Sequence, residues 1–184
     1  LISIVDGGGK MTAAMGSLTG TERRFSTDEI IVSKTDLRGR IIYANEVFQR
    51  VAGFDEPELL GQPHSIIRHP AMPRCVFKLL WDTIEAKKEI FAYVLNRAKN
   101  GDHYWVFAHV SPTFDQRGNI ISYHSNRRSP KREAVEKAAP LYAALLAEEN
   151  RHADRKEGMA SSLRMVAATL DKVGMPYDEF VFSL

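Results

Sequence analysis

The order in which hydrophobic periods follow one another along this chain leaves few architectures open. Two short β-type runs come first, Ile30-Ile31-Val32 and Ile41-Ile42-Tyr43, joined by Asp36-Leu37-Arg38-Gly39. Turn residues of that kind between two such runs predict an antiparallel hairpin. From Asn45 the period lengthens. Asn45 suits an N-cap, Val47, Phe48, Val51 and Ala52 share one helical face, and Gly53 stops the helix. Pro57, Gly61, Pro63, Pro70 and Pro73 then divide the chain into short helical pieces, because proline removes a donor and fixes φ. After Pro73, the spacing of Val76, Phe77, Leu80, Trp81 and Ile84 predicts an amphipathic helix.

Strand periodicity returns three times, over 90–98, 103–113 and 120–127, with Lys99-Asn100-Gly101-Asp102 and Asp115-Gln116-Arg117-Gly118-Asn119 as the connecting turns. In the middle run Tyr104, Val106 and Ala108 alternate with His103, Trp105, Phe107 and His109. Neither set is purely polar, so both faces of that strand are partly covered. Two strands, a block of short helices and three more strands make an α+β domain: a five-stranded antiparallel sheet with short helices on one face and a pocket between the two layers.

Beyond Pro130 the chain turns helical and alanine-rich. Val135, Ala139, Tyr142, Leu146 and Glu149 approximate a heptad seam, in which Pro140 is expected to kink or restart the helix. A second stripe runs through Met159, Leu163, Val166, Leu170 and Val173 and ends at Gly174 and Pro176. The organisation expected is an N-terminal leader or cap over 1–25, partly disordered or left from a fusion at Gly7-Gly8-Gly9-Lys10, a domain over 26–129, and a helical tail over 130–184. The tail either folds back on its own domain or pairs with a second copy through the 135–146 stripe; a homodimer is the favoured arrangement.

Bulk properties narrow the function. With 184 residues, 44% hydrophobic and a formal charge of +2, the chain carries one domain plus an appendage and no excess of charge calling for nucleic acid. The basic run Arg127, Arg128, Lys131 and Arg132 reads as a solvated boundary between domain and tail. No apolar run reaches the ~18 residues of a membrane span. A single cysteine, Cys75, allows no intramolecular disulfide, fits a reducing compartment and reads as a small packed side chain. His64 and His69 stand five apart, which does not place them on one helix face, so no metal site is expected. Neither a phosphate-binding glycine fingerprint nor a Ser/His/Asp arrangement supports an enzyme.

Two stretches carry a family resemblance: Gly61-Gln62-Pro63-His64-Ser65-Ile66-Ile67-Arg68-His69-Pro70-Ala71-Met72-Pro73 and Lys99-Asn100-Gly101-Asp102-His103-Tyr104-Trp105-Val106. Together with Asn45 and Phe48 and the Gly53-Phe54 pair, their order and spacing resemble the PAS domains of aerotaxis receptors, over roughly 26–128. The resemblance implies a cytoplasmic sensor, not an enzyme, that holds FAD without a covalent bond and reports redox state or oxygen to a chemotaxis-type or kinase-type partner. Two positions depart from the pattern. Ala71 stands where the family has an aspartate, and Phe91 where its third strand often begins with tryptophan. The alternative is a PAS adaptor that binds haem or nothing and serves protein interaction.

Carried over by position, Arg68 and His69 fall near the flavin, and Asn96 falls where it can touch the ring. A flat ring with one polar edge needs apolar walls and a few amide-type partners. Phe77, Trp81, Phe91 and Trp105 are candidates for the walls, and Asn45 and Asn96 for the edge. Arg68 could pair with a phosphate of the dinucleotide. His69 could contact the flavin, ligate haem iron, or cap a neighbouring turn. Asn96 and the 125–127 stretch are the expected route by which a change in the pocket reaches the tail.

Overall fold

The computed structural model describes residues 15–184; the Gly7-Gly8-Gly9-Lys10 stretch lies outside them. Strands β1 (Ile31–Thr35) and β2 (Ile41–Ala44) form the expected hairpin. Its turn is held by the Asp36 carboxylate, which accepts from the amides of Arg38 and Arg40 at 2.8 Å each. Helices α1 (Glu46–Ala52), α2 (Glu56–Leu59) and α3 (Arg74–Glu85), with a 3₁₀ turn at His64–Ile67 between α2 and α3, complete the helical block. Strands β3 (Ile90–Arg97), β4 (His103–Phe114) and β5 (Ile120–Arg128) follow.

The sheet is antiparallel in the order β2-β1-β5-β4-β3. Its inner face, under the helices, is set by the two-residue period. Ala92, Val94 and Asn96 of β3 and Tyr104, Val106 and Ala108 of β4 are buried there. The register pairs Asn96 with Tyr104 and Leu95 with Trp105, so Phe91, Leu95 and Trp105 stand on the opposite, outer face.

From Met15 onward the N-terminal segment packs on the domain as a cap. Gly16 donates to Lys99 O at 2.8 Å, Arg23 N to His103 O at 2.7 Å, and Arg23 Nε to Asp102 Oδ2 at 2.8 Å. At Gly101, φ is +98° and a Cβ would stand 1.7 Å from Ser17 O, so only glycine admits this approach.

The tail comprises α4 (Arg132–Asn150), α5 (Arg155–Val173) and α6 (Tyr177–Ser183). Pro140 neither ends nor restarts α4, which runs through it. The buried face of α4 is Ala134, Val135, Ala138, Tyr142, Leu145 and Glu149, offset from the expected seam at Ala139 and Leu146. This face is spent on the chain's own domain. Tyr142 donates its hydroxyl to Tyr93 O at 2.7 Å, satisfying a carbonyl on the exposed side of edge strand β3. Phe182 of α6 meets Phe91 at 4.8 Å and Phe107 at 5.6 Å on the outer sheet face. No helix of the described residues is long and apolar enough to cross a membrane.

Candidate functional site

Between the inner sheet face and the helices lies a cavity of about 240 Å³. Phe77, Leu80, Trp81 and Ile84 of α3 wall one side, and Val94, Ala108, Val110 and Tyr123 of the sheet the other. The amphipathic spacing of α3 aims those four residues at the sheet, while the 3₁₀ turn brings His64, Ile67 and Arg68 to the rim of the same space.

The polar groups in this apolar box are short of partners. Among the described residues, Asn96 Nδ2, Arg68 Nε, and Nε and one terminal nitrogen of Arg127 are buried without a hydrogen-bond acceptor. All three residues line the cavity. Buried donors are rarely left unmade, and each costs about 1–3 kcal/mol. Arg127 is only 2% exposed. Its guanidinium sits 4.4 Å over the Phe48 ring, and its remaining terminal nitrogen donates to Ser33 Oγ at 2.5 Å. Burial pushes its pKa down to about 10, so it stays a cation at neutral pH. Arg68 lies 3.7 Å over the Phe77 ring and is likewise lowered by burial. Among the described residues lining the cavity there is no Asp or Glu to balance them.

His64 completes the polar rim. Its Nε2 is 3.2 Å from Ser33 Oγ and its ring stacks on Phe48 at 6.0 Å. Burial, reinforced by the charges of Arg127 and Arg68, pushes the imidazole from 6.5 down to about 3, so it is neutral. The folded value lies below the unfolded one. Stability from keeping this ring neutral is therefore fully present above about pH 6.5 and is lost progressively as pH falls toward about 3. Urea unfolding between about pH 7 and pH 4 should show a steeper loss for the wild type than for His64→Asn. Parallel slopes would mean that the ring takes its proton in place.

Of the residues singled out from the sequence, Arg68, Phe77, Trp81 and Asn96 line this cavity and the other four do not. Asn45 is spent on the backbone: Oδ1 accepts from Val32 N and Phe48 N at 3.0 Å each, and Nδ2 donates to Ile30 O at 2.8 Å. His69 accepts from Ala71 N through Nδ1 at 3.1 Å and packs edge-on against His103 at 5.9 Å, the turn-capping role. Phe91 stacks on His109 at 4.4 Å and Trp105 leans on Tyr142 at 6.0 Å, both on the outer face.

Arg127 was read from sequence as part of a solvated basic run; the structure buries it. Alternation along β5 carries the missed signal, since Tyr123, Ser125 and Arg127 share the inner face while Arg128 is exposed. Among the described residues no group of His, Cys, Asp and Glu could hold a metal. Cys75 is buried and its thiol is pushed up to about 11, which makes it a packed and unreactive side chain.

Residues 41–127 match the family model described as PAS fold. The aerotaxis receptor of Escherichia coli K12 is 42% identical over 118 residues, covering 64% of this chain and 23% of that protein. The nitrogen fixation regulatory protein of Klebsiella pneumoniae is 27% identical over 99 residues, covering 54% of this chain and 20% of that protein. The chain thus spans less than a quarter of the length of either relative. Among solved structures, a light-oxygen-voltage domain studied with a flavin analogue superposes with a TM-score of 0.55 at 20% identity, over 68% of this chain and 91% of that one.

Proposed function

We propose that this chain, whose residues 41–127 match the family model described as PAS fold and which is similar to an aerotaxis receptor, is a sensor module that encloses a flavin, FAD by preference, and passes the redox state to a signalling partner. One observation carries this reading. The unpartnered donors of Asn96, Arg68 and Arg127 converge on a single apolar cavity. An isoalloxazine ring presents apolar faces and an edge of carbonyl and imine acceptors, which is what those walls and donors call for. At about 240 Å³ the cavity is below the ~300–1,000 Å³ of whole-ligand sites, so it would hold the ring and not the whole dinucleotide. The same volume, with His64 Nε2 engaged by Ser33, favours flavin over a haem macrocycle.

When bound, the flavin would supply reversible uptake of electrons. The chain's own groups do the rest. Phe77, Leu80 and Trp81 exclude water from one side, and Arg68 and Arg127 hold fixed positive charge with no carboxylate among the described lining residues to offset it. Asn96 bridges strand β3 to the 3₁₀ turn through its backbone pairing with Arg68, so a change of partner at its side chain bears on both elements. Strand β5 leads from Arg127 directly into α4, which gives the inner sheet face a short route to the tail. On this reading 26–129 is the sensor, 130–184 the signalling element, and the protein works in the cytoplasm without catalysing a reaction. The α4 stripe is already covered within the chain, so a homodimer would use another surface.

Absorption of the purified full chain tests the proposal. Flavin bands, lost or weakened roughly tenfold in affinity in Asn96→Ala, are the expected result. A colourless protein that fails to take up added FAD would sink it, and a Soret band would hand the site to haem.

A further inference from the structure

Helix α3 walls the cavity, yet it has no cap of its own. Pro73 occupies the N-cap position and offers no side-chain hydrogen bond. The missing acceptor comes from the far end of α4. Glu149 is 0% exposed, and its carboxylate accepts from Cys75 N at 2.8 Å, Arg74 N at 3.0 Å and Arg74 Nε at 2.9 Å. Ser162 of α5 adds its hydroxyl at 3.1 Å. A carboxylate on the free amides of a helix start is favoured both by its hydrogen bonds and by the helix dipole. These bonds outweigh the cost of burial, and the Glu149 pKa ends below its ordinary value. The joint is also sterically tight. A Cβ on Gly158 of α5 would stand 2.4 Å from the Glu149 backbone oxygen, so α5 comes close to α4 at the residue that carries the carboxylate.

We propose that Glu149 is the joint through which the tail and the cavity wall sense each other: docking of the α4–α5 hairpin seats α3, and release of the hairpin loosens it. The joint lies beyond the residues matched by the family model. It extends the sensor reading by naming how the tail reaches the pocket, but the joint itself needs no ligand. Coupling of this kind is reciprocal, so whatever fills the cavity and steadies α3 also steadies the hairpin.

Hydrogen exchange on the full chain, wild type against Glu149→Gln, reads this directly. The variant should speed exchange by on the order of 100-fold at Arg74 and Cys75 and across α4–α5, and about 10-fold along α3 from Phe77 to Ile84, with β4 and β5 unchanged. Wild-type protection in the hairpin, or a hairpin that opens while α3 keeps its protection, would overturn the proposal. Should Glu149→Gln not fold, Ser162→Ala keeps the ion pair with Arg74 and should give the same pattern at several-fold; no change there is equally fatal. With FAD as the added probe, hairpin protection should rise in the wild type and not in Glu149→Gln, and an equal rise in both overturns the coupling. Failure of FAD to bind would count against the flavin reading alone, because the ligand-free comparison remains readable.

Discussion

Replacing Arg127 by methionine should raise the melting temperature of the ligand-free protein while cutting its affinity for flavin by about 100-fold or more. The two effects have opposite signs for one reason. A guanidinium that is 2% exposed, with two nitrogens unpartnered and no carboxylate lining its cavity among the described residues, is a cost to the empty fold. Buried charge exchanged for an apolar side chain of similar volume commonly stabilises by about 1–4 kcal/mol. Here the loss of the Ser33 hydrogen bond and of the cation–π contact with Phe48 takes back part of that, leaving a gain of about 1–2 kcal/mol, or roughly 2–8 °C for a chain this long. The same nitrogens are charge-assisted donors once an acceptor fills the cavity. Two such bonds at about 1.5–3 kcal/mol each account for the fall in affinity. Thermal melts without ligand and a flavin fluorescence titration measure both. A variant that melts lower and binds as before would mark Arg127 as a purely structural cation.

Asn45→Ala should do the reverse: a large loss of stability with no change in flavin bound per folded molecule. Its side chain makes three hydrogen bonds, to Val32 N, Phe48 N and Ile30 O, tying the start of α1 to the β1 backbone. Loss of an N-cap costs about 0.5–2 kcal/mol, and backbone groups left half-buried without partners add to it, for a total of about 2–4 kcal/mol. That corresponds to a melting point lower by roughly 5–15 °C. A normal melt together with lost flavin would return Asn45 to the binding site, where the need of a flavin's polar edge for amide-type partners suggests it.

Most of the fold was legible because periods of two and 3.6 alternate cleanly and glycine-, asparagine- and proline-bearing turns separate them. Four of the eight candidate residues line the cavity, and period two explains two of the four that do not; Asn45 and His69, off the strands, cap backbone instead. Asn96 and Phe91 are an odd number of residues apart on one strand, so they cannot share a face; Trp105, paired with Leu95, follows Phe91 outward. Aromatic character does not decide which face a strand residue takes; parity does. Arg127 failed differently. A basic residue in a basic run argues for solvent until the strand is carried through to its last residue. The tail's register was missed by one position, Ala138 for Ala139, because an approximate heptad does not say which neighbour it will meet. Glu149 was placed on a seam, and nothing local to it shows that its partners are the first amides of a helix 75 residues earlier.

The strand order has a consequence for how the chain is made. β1 lies between β2 and β5, and Ile31 pairs with Arg127, so one side of the first strand waits for the last to emerge before it finds a neighbour. During synthesis the opening hairpin is a raw ribbon, its inward-facing isoleucines bare and one row of amides open to any passing chain. Completion of this sheet is a late, long-range event, and its rate is governed by closing that span rather than by forming any of its hairpins.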